Sequence, residues 1–454
     1  MRTTNAYASV ARAILISAGM LGVVGCEQVE QVQDHFRDLT PHEAYLASLE
    51  QAGLGSTALG RAWERAGERA VEEPLTISLP FQEQGYIAPE EPGAMGYRVS
   101  IPRGRRLTAE VTLETQEGTR VFVDLFRVAA DDEDPARPLI STDSVPGVFV
   151  HEPWRGGDFI LRLQPELLRG GQYTVTLRLE AQLAFPVEGH GVRAIQSRFG
   201  VARDAGRRQH HGVDIFAPRG TPVIAAAAGR VNRVQVTNLG GKVVWLRDPV
   251  RNANLYYAHL DSQAVSTGQE VSPGDTLGFV GNTGNARTTP PHLHFGLYRR
   301  GEGPVDPFPF IDPPPGVPTE LTADVGRLGS WVRIQSDGIR LRAAPSLRSD
   351  VLVELEQHTP VRVLAGSGDY FRVRLPDGSQ GYVAARLTEP VDGPVAAEIV
   401  LSNRPVRVRP EGNAPIMITL PAGSEVPVLG RYGGYLYVRV PTGHGGWVGE
   451  ALEG

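Results

Sequence analysis

The stretch Pro290-Pro291-His292-Leu293-His294-Phe295-Gly296-Leu297-Tyr298, PPHLHFGLY, sets two histidines one residue apart in a chain of 454 residues that holds eleven. Residues i and i+2 of a β-strand share a face. His292 and His294 therefore point one way, and Leu293 and Phe295 the other. Such a strand has an apolar side for a core and a side that carries imidazoles. Paired imidazoles suit a metal site or an acid–base pair. The spacing alone is a weak signal, because a half-exposed strand with two surface histidines reads the same way.

Other residues join the pair. Within RRQHHGVDIFAPRG, from Arg207, the run His210-His211-Gly212-Val213-Asp214 reads His-x-Gly-x-Asp. On a strand, positions 210, 212 and 214 share a face. His210 and Asp214 then approach one ion across Gly212, which has no side chain in the way. Only one of the two adjacent histidines fits this spacing, so His211 is left to structure or to lining a groove. His259 closes the strand-like run NLYYAHL from Asn254. The turn-rich GQEVSPGDTLGFVGNTG follows from Gly268 and leads into the His-x-His strand. Singly, each residue has a duller reading: a solvated loop histidine, a turn-forming aspartate, a core histidine. Jointly, the three motifs argue for a site.

In this order the motifs resemble the lysostaphin-type (LytM-type) zinc metallopeptidases, which cut peptidoglycan cross-links. The resemblance covers about residues 190–310. It implies an antiparallel β core with the active site in a groove. By matched position it makes His210, Asp214 and His294 the zinc ligands and His259 and His292 the unligated catalytic pair. Three protein ligands leave a fourth zinc position open for water. The implied reaction is attack of a zinc-bound hydroxide on an amide carbonyl, with the two free imidazoles handling protons. Arg208 matches a frequent family arginine, expected to orient a ligand or bind a substrate carboxylate. The chain departs from the family pattern at Pro290, where a glycine is usual, and at Gly296, where a glutamate is usual. A non-catalytic wall-binding adaptor, or activator of another hydrolase, is the alternative on the same fold. The five filled positions favour the enzyme.

The rest of the chain gives the site its setting. At 454 residues, several domains are expected. The 53 glycines and 36 prolines favour short strands and turns over long helices. A net charge of −6 leaves no basic footprint for nucleic acid. Residues 1–25 read as a signal peptide whose apolar run is too short to span a bilayer. The only cysteine, Cys26, follows Val23-Val24-Gly25 as in a lipobox, so a lipid anchor to the membrane outside the cytoplasm is expected. A single cysteine excludes an internal disulfide or a thiolate-rich zinc cluster.

Residues 26–74 read as a short helical spacer. Thr40 and Glu43 form a capping box, Gly53 a stop, and Ser56 a cap for the second helix. Period-two runs across 75–184 predict a β-sandwich, and 185–312 hold the peptidase motifs. A Pro-rich linker at 313–327 precedes a repeat. FRVRLPDGSQGYV from Phe371 lines up with LYVRVPTGHGGWV from Leu436. The repeat resembles two bacterial SH3-like barrels, at 328–389 and 394–454. The fold class expected is mainly β and multidomain: an antiparallel peptidase core, N-terminal helices plus a sandwich, and two C-terminal SH3-like barrels. The sequence places no constraint on oligomeric state.

Overall fold

A computed structural model describes residues 39–114, 118–128, 137–203, 206–313 and 316–450. The signal segment and Cys26 lie outside the described residues. Among those described, no helix is long and apolar enough to cross a membrane. The chain is mainly β, in several packed units.

Two helices open the described residues, α1 (Pro41–Gln51) and α2 (Ala58–Glu72). The capping box forms as the sequence requires: the Glu43 N–H donates to Thr40 Oγ1, and the Thr40 N–H donates to Glu43 Oε2 at 2.7 Å. The cap of α2 is Thr57, not Ser56. Its Oγ1 accepts from the Gly60 N–H at 3.0 Å, whereas the Ser56 hydroxyl turns back to the Gly53 carbonyl. The described part of this segment packs against its neighbour. Leu49, Trp63 and Phe122 form one buried cluster that seats the helices on the sandwich. His42 stacks on Trp63 with ring centroids 5.0 Å apart. Its Nε2–H donates to Gln164 Oε1 at 2.8 Å, and the Gln164 amide donates to the Trp63 carbonyl.

The sandwich has two antiparallel layers. One holds Met95–Ile101, Gly157–Pro165 and Val121–Arg127 side by side; the other holds Phe81–Ile87, Gly171–Ala181 and Arg105–Glu114. Alternating residues such as Val99, Leu161, Leu107 and Val175 fill the space between them. The second layer does not stop at the sandwich edge. Gln84 and Gly85 pair with Gly366 and Ala365 of the first barrel, so one sheet runs through both units. Behind that junction, Glu83 and Arg372 form a fully buried pair with two nitrogen–oxygen contacts of 3.1 Å. The hydroxyls of Tyr97, Tyr173 and Tyr382 donate to the same carboxylate. Every oxygen lone pair there has company, which is what lets a buried charge persist.

The two barrels share one plan. Ile339–Arg342 pairs with Val351–Leu355, and Arg404–Arg407 pairs with Ile416–Leu420. Arg342 faces Tyr382 as Arg407 faces Trp447. Both arginines bond a carbonyl seven residues on, at Ser349 and Ala414. The unit that carries the histidine motifs is tied to the sandwich in turn. Arg251 bonds Glu152 at 2.5 Å, Arg105 bonds Asp312 at 2.8 Å, and Trp154 packs on Phe310 at 5.0 Å.

Two stability measurements check this architecture. Glu83→Gln removes the charge opposite a buried guanidinium and is expected to cost about 3–5 kcal/mol in urea denaturation; adding Arg372→Met should recover most of the loss. Burial, with Arg162 adding to it, lowers the His42 pKa from 6.5 to about 4. The unfolded chain therefore takes up this proton first. The stability His42 contributes is complete above pH 6.5 and is lost as pH falls from there to 4, by roughly 3 kcal/mol. In His42→Gln, the stability profile across that window should lose this slope, so the wild-type-minus-variant difference should carry it.

Candidate metal centre and groove

The site stands on a sheet of seven strands with one further strand paired at its margin. Strand His292–Arg299 lies between Val213–Phe216 and Ala253–Leu260. Alternation sends Leu293, Phe295 and Leu297 into the core, all fully buried, and sends His292 and His294 into a groove of about 620 Å³. The register sets Asp214 opposite His294 on one side and Ala258 opposite it on the other. His210 is not on the strand that holds Asp214, which begins only at Val213. It sits in the loop before that strand, fixed by its N–H to the Val201 carbonyl at 2.9 Å and its carbonyl to the Gly200 N–H at 2.8 Å.

The three side chains converge. His210 Nε2 lies 3.0 Å from Asp214 Oδ1 and 2.9 Å from His294 Nδ1, and His294 Nδ1 lies 2.9 Å from Asp214 Oδ1. They form a group able to hold a metal ion. The chemistry of the donors argues the same way. His210 Nδ1 faces the Arg198 carbonyl at 2.8 Å, and a carbonyl only accepts, so Nδ1 carries the hydrogen. In the neutral ring Nε2 is then a lone pair, aimed at a carboxylate oxygen and a second imidazole nitrogen. Lone pairs gathered on one point call for a cation between them. Burial works against an ionised Asp214, but contacts with His210 and His294 outweigh it and hold the carboxyl well below the ordinary range. Gly212 is required for this approach: a Cβ there would overlap the Phe295 carbonyl and come within 2.9 Å of the His294 ring.

His259 and His292 face each other beside this group, with ring centroids 5.1 Å apart. Each ring is oriented by a backbone carbonyl, His259 Nδ1 at Thr283 O and His292 Nδ1 at Pro290 O, both 2.9 Å. In the neutral rings Nε2 is then the lone pair. Because position 290 acts through its backbone carbonyl, the Pro290 departure leaves this anchor in place. Burial, aided by His294 and His292, lowers the His259 pKa to about 4. Strand alternation alone would send His259 into the core with Tyr257. Its φ of +61° turns the chain out of the β region and brings the ring round to the groove, beside the outward-facing Tyr256 and Ala258. Such a conformation is uncommon for a residue with a Cβ, and strain of this kind gathers at functional sites.

Other groove residues were not singled out from the sequence. The guanidinium of Arg203 lies 2.6 Å from Asp214 Oδ2 and also bonds Ser197. Arg203 is thus placed to orient Asp214, and Arg208, expected to orient a ligand or bind a substrate carboxylate, faces it across a two-residue ladder, exposed, and lines the groove. No local pattern in the sequence points to Arg203. His211 is exposed at the rim and stacks on Phe199 at 6.4 Å. Trp245, Tyr256 and Tyr298 form an aromatic wall, with Trp245 4.4 Å from Tyr256 and 5.2 Å from Tyr298. This wall explains Gly296: a Cβ there would stand 2.9 Å from the Tyr298 ring. Tyr298 shares a strand face with His294 at i+4, the one signal that could have found it.

Comparison with known proteins agrees with this reading of the fold. Residues 208–307 match the model of peptidase family M23, and residues 337–389 match that of a bacterial SH3 domain. The chain thus contains an M23 peptidase domain and a bacterial SH3 domain. It is similar to the L-Ala--D-Glu endopeptidase of Bacillus subtilis, 38% identical over 28% of this chain and 42% of that protein. It is also similar to the peptidoglycan DD-endopeptidase ShyC of Vibrio cholerae, 40% identical over 19% and 20% of the two chains. An uncharacterized lipoprotein of Escherichia coli, YgeR, is 35% identical over 22% of this chain and 39% of that one. The chain spans less than half the length of each of these curated relatives.

Gly212→Ala tests the packing behind the site. The variant is expected to lose about 2 kcal/mol or more in thermal denaturation, because the overlap is with backbone and cannot be relieved by a rotamer change.

Proposed function

We propose that the protein is a zinc-dependent endopeptidase of peptidoglycan cross-links, held at the cell envelope by a lipid on Cys26. The observation that carries this reading is the convergence of the His210, Asp214 and His294 donor atoms next to two further imidazoles. Two imidazoles and one carboxylate suit zinc and leave it a coordination position to spare. When bound there, zinc supplies a polarised carbonyl and a water acidified to near neutrality.

The chain's own residues do the remainder. Arg203 and the Arg198 carbonyl hold Asp214 and His210 in position. His259 and His292, each pinned through Nδ1, present Nε2 to the groove. The ring that accepts the proton of the attacking water at its Nε2 lone pair becomes an Nε2–H donor, which hydrogen-bonds the developing oxyanion and returns that proton to the departing amine. The low proton affinity of His259 keeps it neutral, as a base must be, down to about pH 4. The aromatic wall and Arg208 line the substrate's path along the groove. Similarity to two peptidoglycan endopeptidases supports the substrate class. The lipobox at Cys26 and the likeness to a lipoprotein support the anchor.

The test is digestion of purified sacculi by the zinc-loaded protein, with released peptides identified by mass spectrometry. Products that vanish with chelator and with His294→Ala are expected, and their ends name the bond. His259→Ala should keep its zinc, measured by metal analysis, yet lose roughly 100-fold or more in turnover. Zinc-loaded wild type that releases no peptide would overturn the assignment.

A further inference from the structure

A second cavity lies away from the groove, where helix α2, the sandwich and the first barrel meet. It measures about 460 Å³, the size of a small-molecule site. Its apolar floor includes Ala66, Ala70, Ile87 and Met95, and its rim carries guanidiniums from distant parts of the chain. Arg69 comes from α2, Arg362 and Arg374 from adjacent strands of the barrel. The buried Glu83–Arg372 pair sits at the back of the junction, and the Arg372 side chain forms part of the lining.

Charge there is unbalanced. Arg372 is neutralised by Glu83, which leaves Arg69, Arg362 and Arg374 against the rim carboxylates Glu73 and Glu91. Glu91 is more than half exposed, yet it lies 3.0 Å from Arg362 and 3.8 Å from Arg374. Burial lowers the proton affinity of Arg374; Glu91 opposes this, and the like charges of Arg362, Arg372 and Arg69 add to it. Three guanidiniums against two rim carboxylates, with Glu91 shared between Arg362 and Arg374, leave a net positive charge that a further anion would balance.

We propose that this cleft binds an oxyanion, a carboxylate or a phosphate group on a small ligand, and that Glu91 occupies the anion position until the ligand displaces it. The recognition is bidentate and electrostatic, from Arg362 and Arg374, with Arg69 closing the third side. The apolar floor takes the carbon skeleton of the ligand. Nothing in this assignment depends on the peptidase chemistry, because the two cavities share no residue.

Isothermal titration of the full-length protein with glutarate and, separately, with inorganic phosphate tests it. Glutarate binding with phosphate silent identifies a carboxylate site; the reverse identifies a phosphate site. Glu91→Gln removes the internal competitor and should tighten the dissociation constant about threefold or more, while Arg374→Gln should weaken it about tenfold. Arg69→Ala, on the exposed face of α2, supplies a variant with little risk to folding and should also weaken binding. The proposal fails if neither anion binds wild type or Glu91→Gln. It fails equally if Glu91→Gln binds more weakly than wild type, since Glu91 would then be a part of the site and not its competitor.

Discussion

The pairing of strand His292–Arg299 with a neighbour on each side fixes most of what this protein offers chemically. Its register puts Asp214 and Ala258 level with His294. A slip of one residue would send both histidines into the core and Leu293 and Phe295 into the groove. The register cannot slip cheaply, because Leu293, Phe295 and Leu297 are fully buried against Val213, Leu255 and Tyr257. Each such side chain contributes about 1.5–3 kcal/mol by its burial. The apolar face thus holds the polar one in register, and the donor group inherits its geometry from hydrophobic packing.

A second constraint operates between units. Sequence composition suggests beads on a chain, with a helical spacer, a sandwich, a peptidase and two barrels. The structure fuses them. A sheet runs from the first barrel into the sandwich, a buried ion pair with three tyrosines sits behind that joint, and salt bridges clamp the peptidase to the sandwich. Buried charges add little net stability over apolar packing, but they are costly to misplace. The Glu83–Arg372 pair therefore specifies one docking geometry among the many an apolar joint would tolerate. The cleft at that joint exists because three separate segments are held in one arrangement.

Strand periodicity explains which of the candidate site residues are legible in the chain by spacing and which are not. His292, His294 and Asp214 follow from alternation and a resemblance in motif order. His259 is named by motif resemblance alone, because it breaks alternation through its own left-handed backbone conformation, which periodicity does not record. Arg203 reaches Asp214 only because a short ladder folds back over the site. The difference between Ser56 and Thr57 as the cap of α2 was settled by one residue of backbone direction.

By itself the sequence determined the local facts: the strand carrying His292 and His294, the capping box at Thr40, the glycine clearance at 212, the duplication of the barrels. These depend on near-neighbour sterics and on a pattern of two, which the chain carries along its length. Tertiary structure alone decided the others: the arginine behind Asp214, the partner of Glu83, the aromatic wall that fills the space at Gly296, the cleft under α2. Such contacts join segments that are not neighbours in the chain. Their energy comes from burial and charge pairing in three dimensions, and no periodicity in the chain records it.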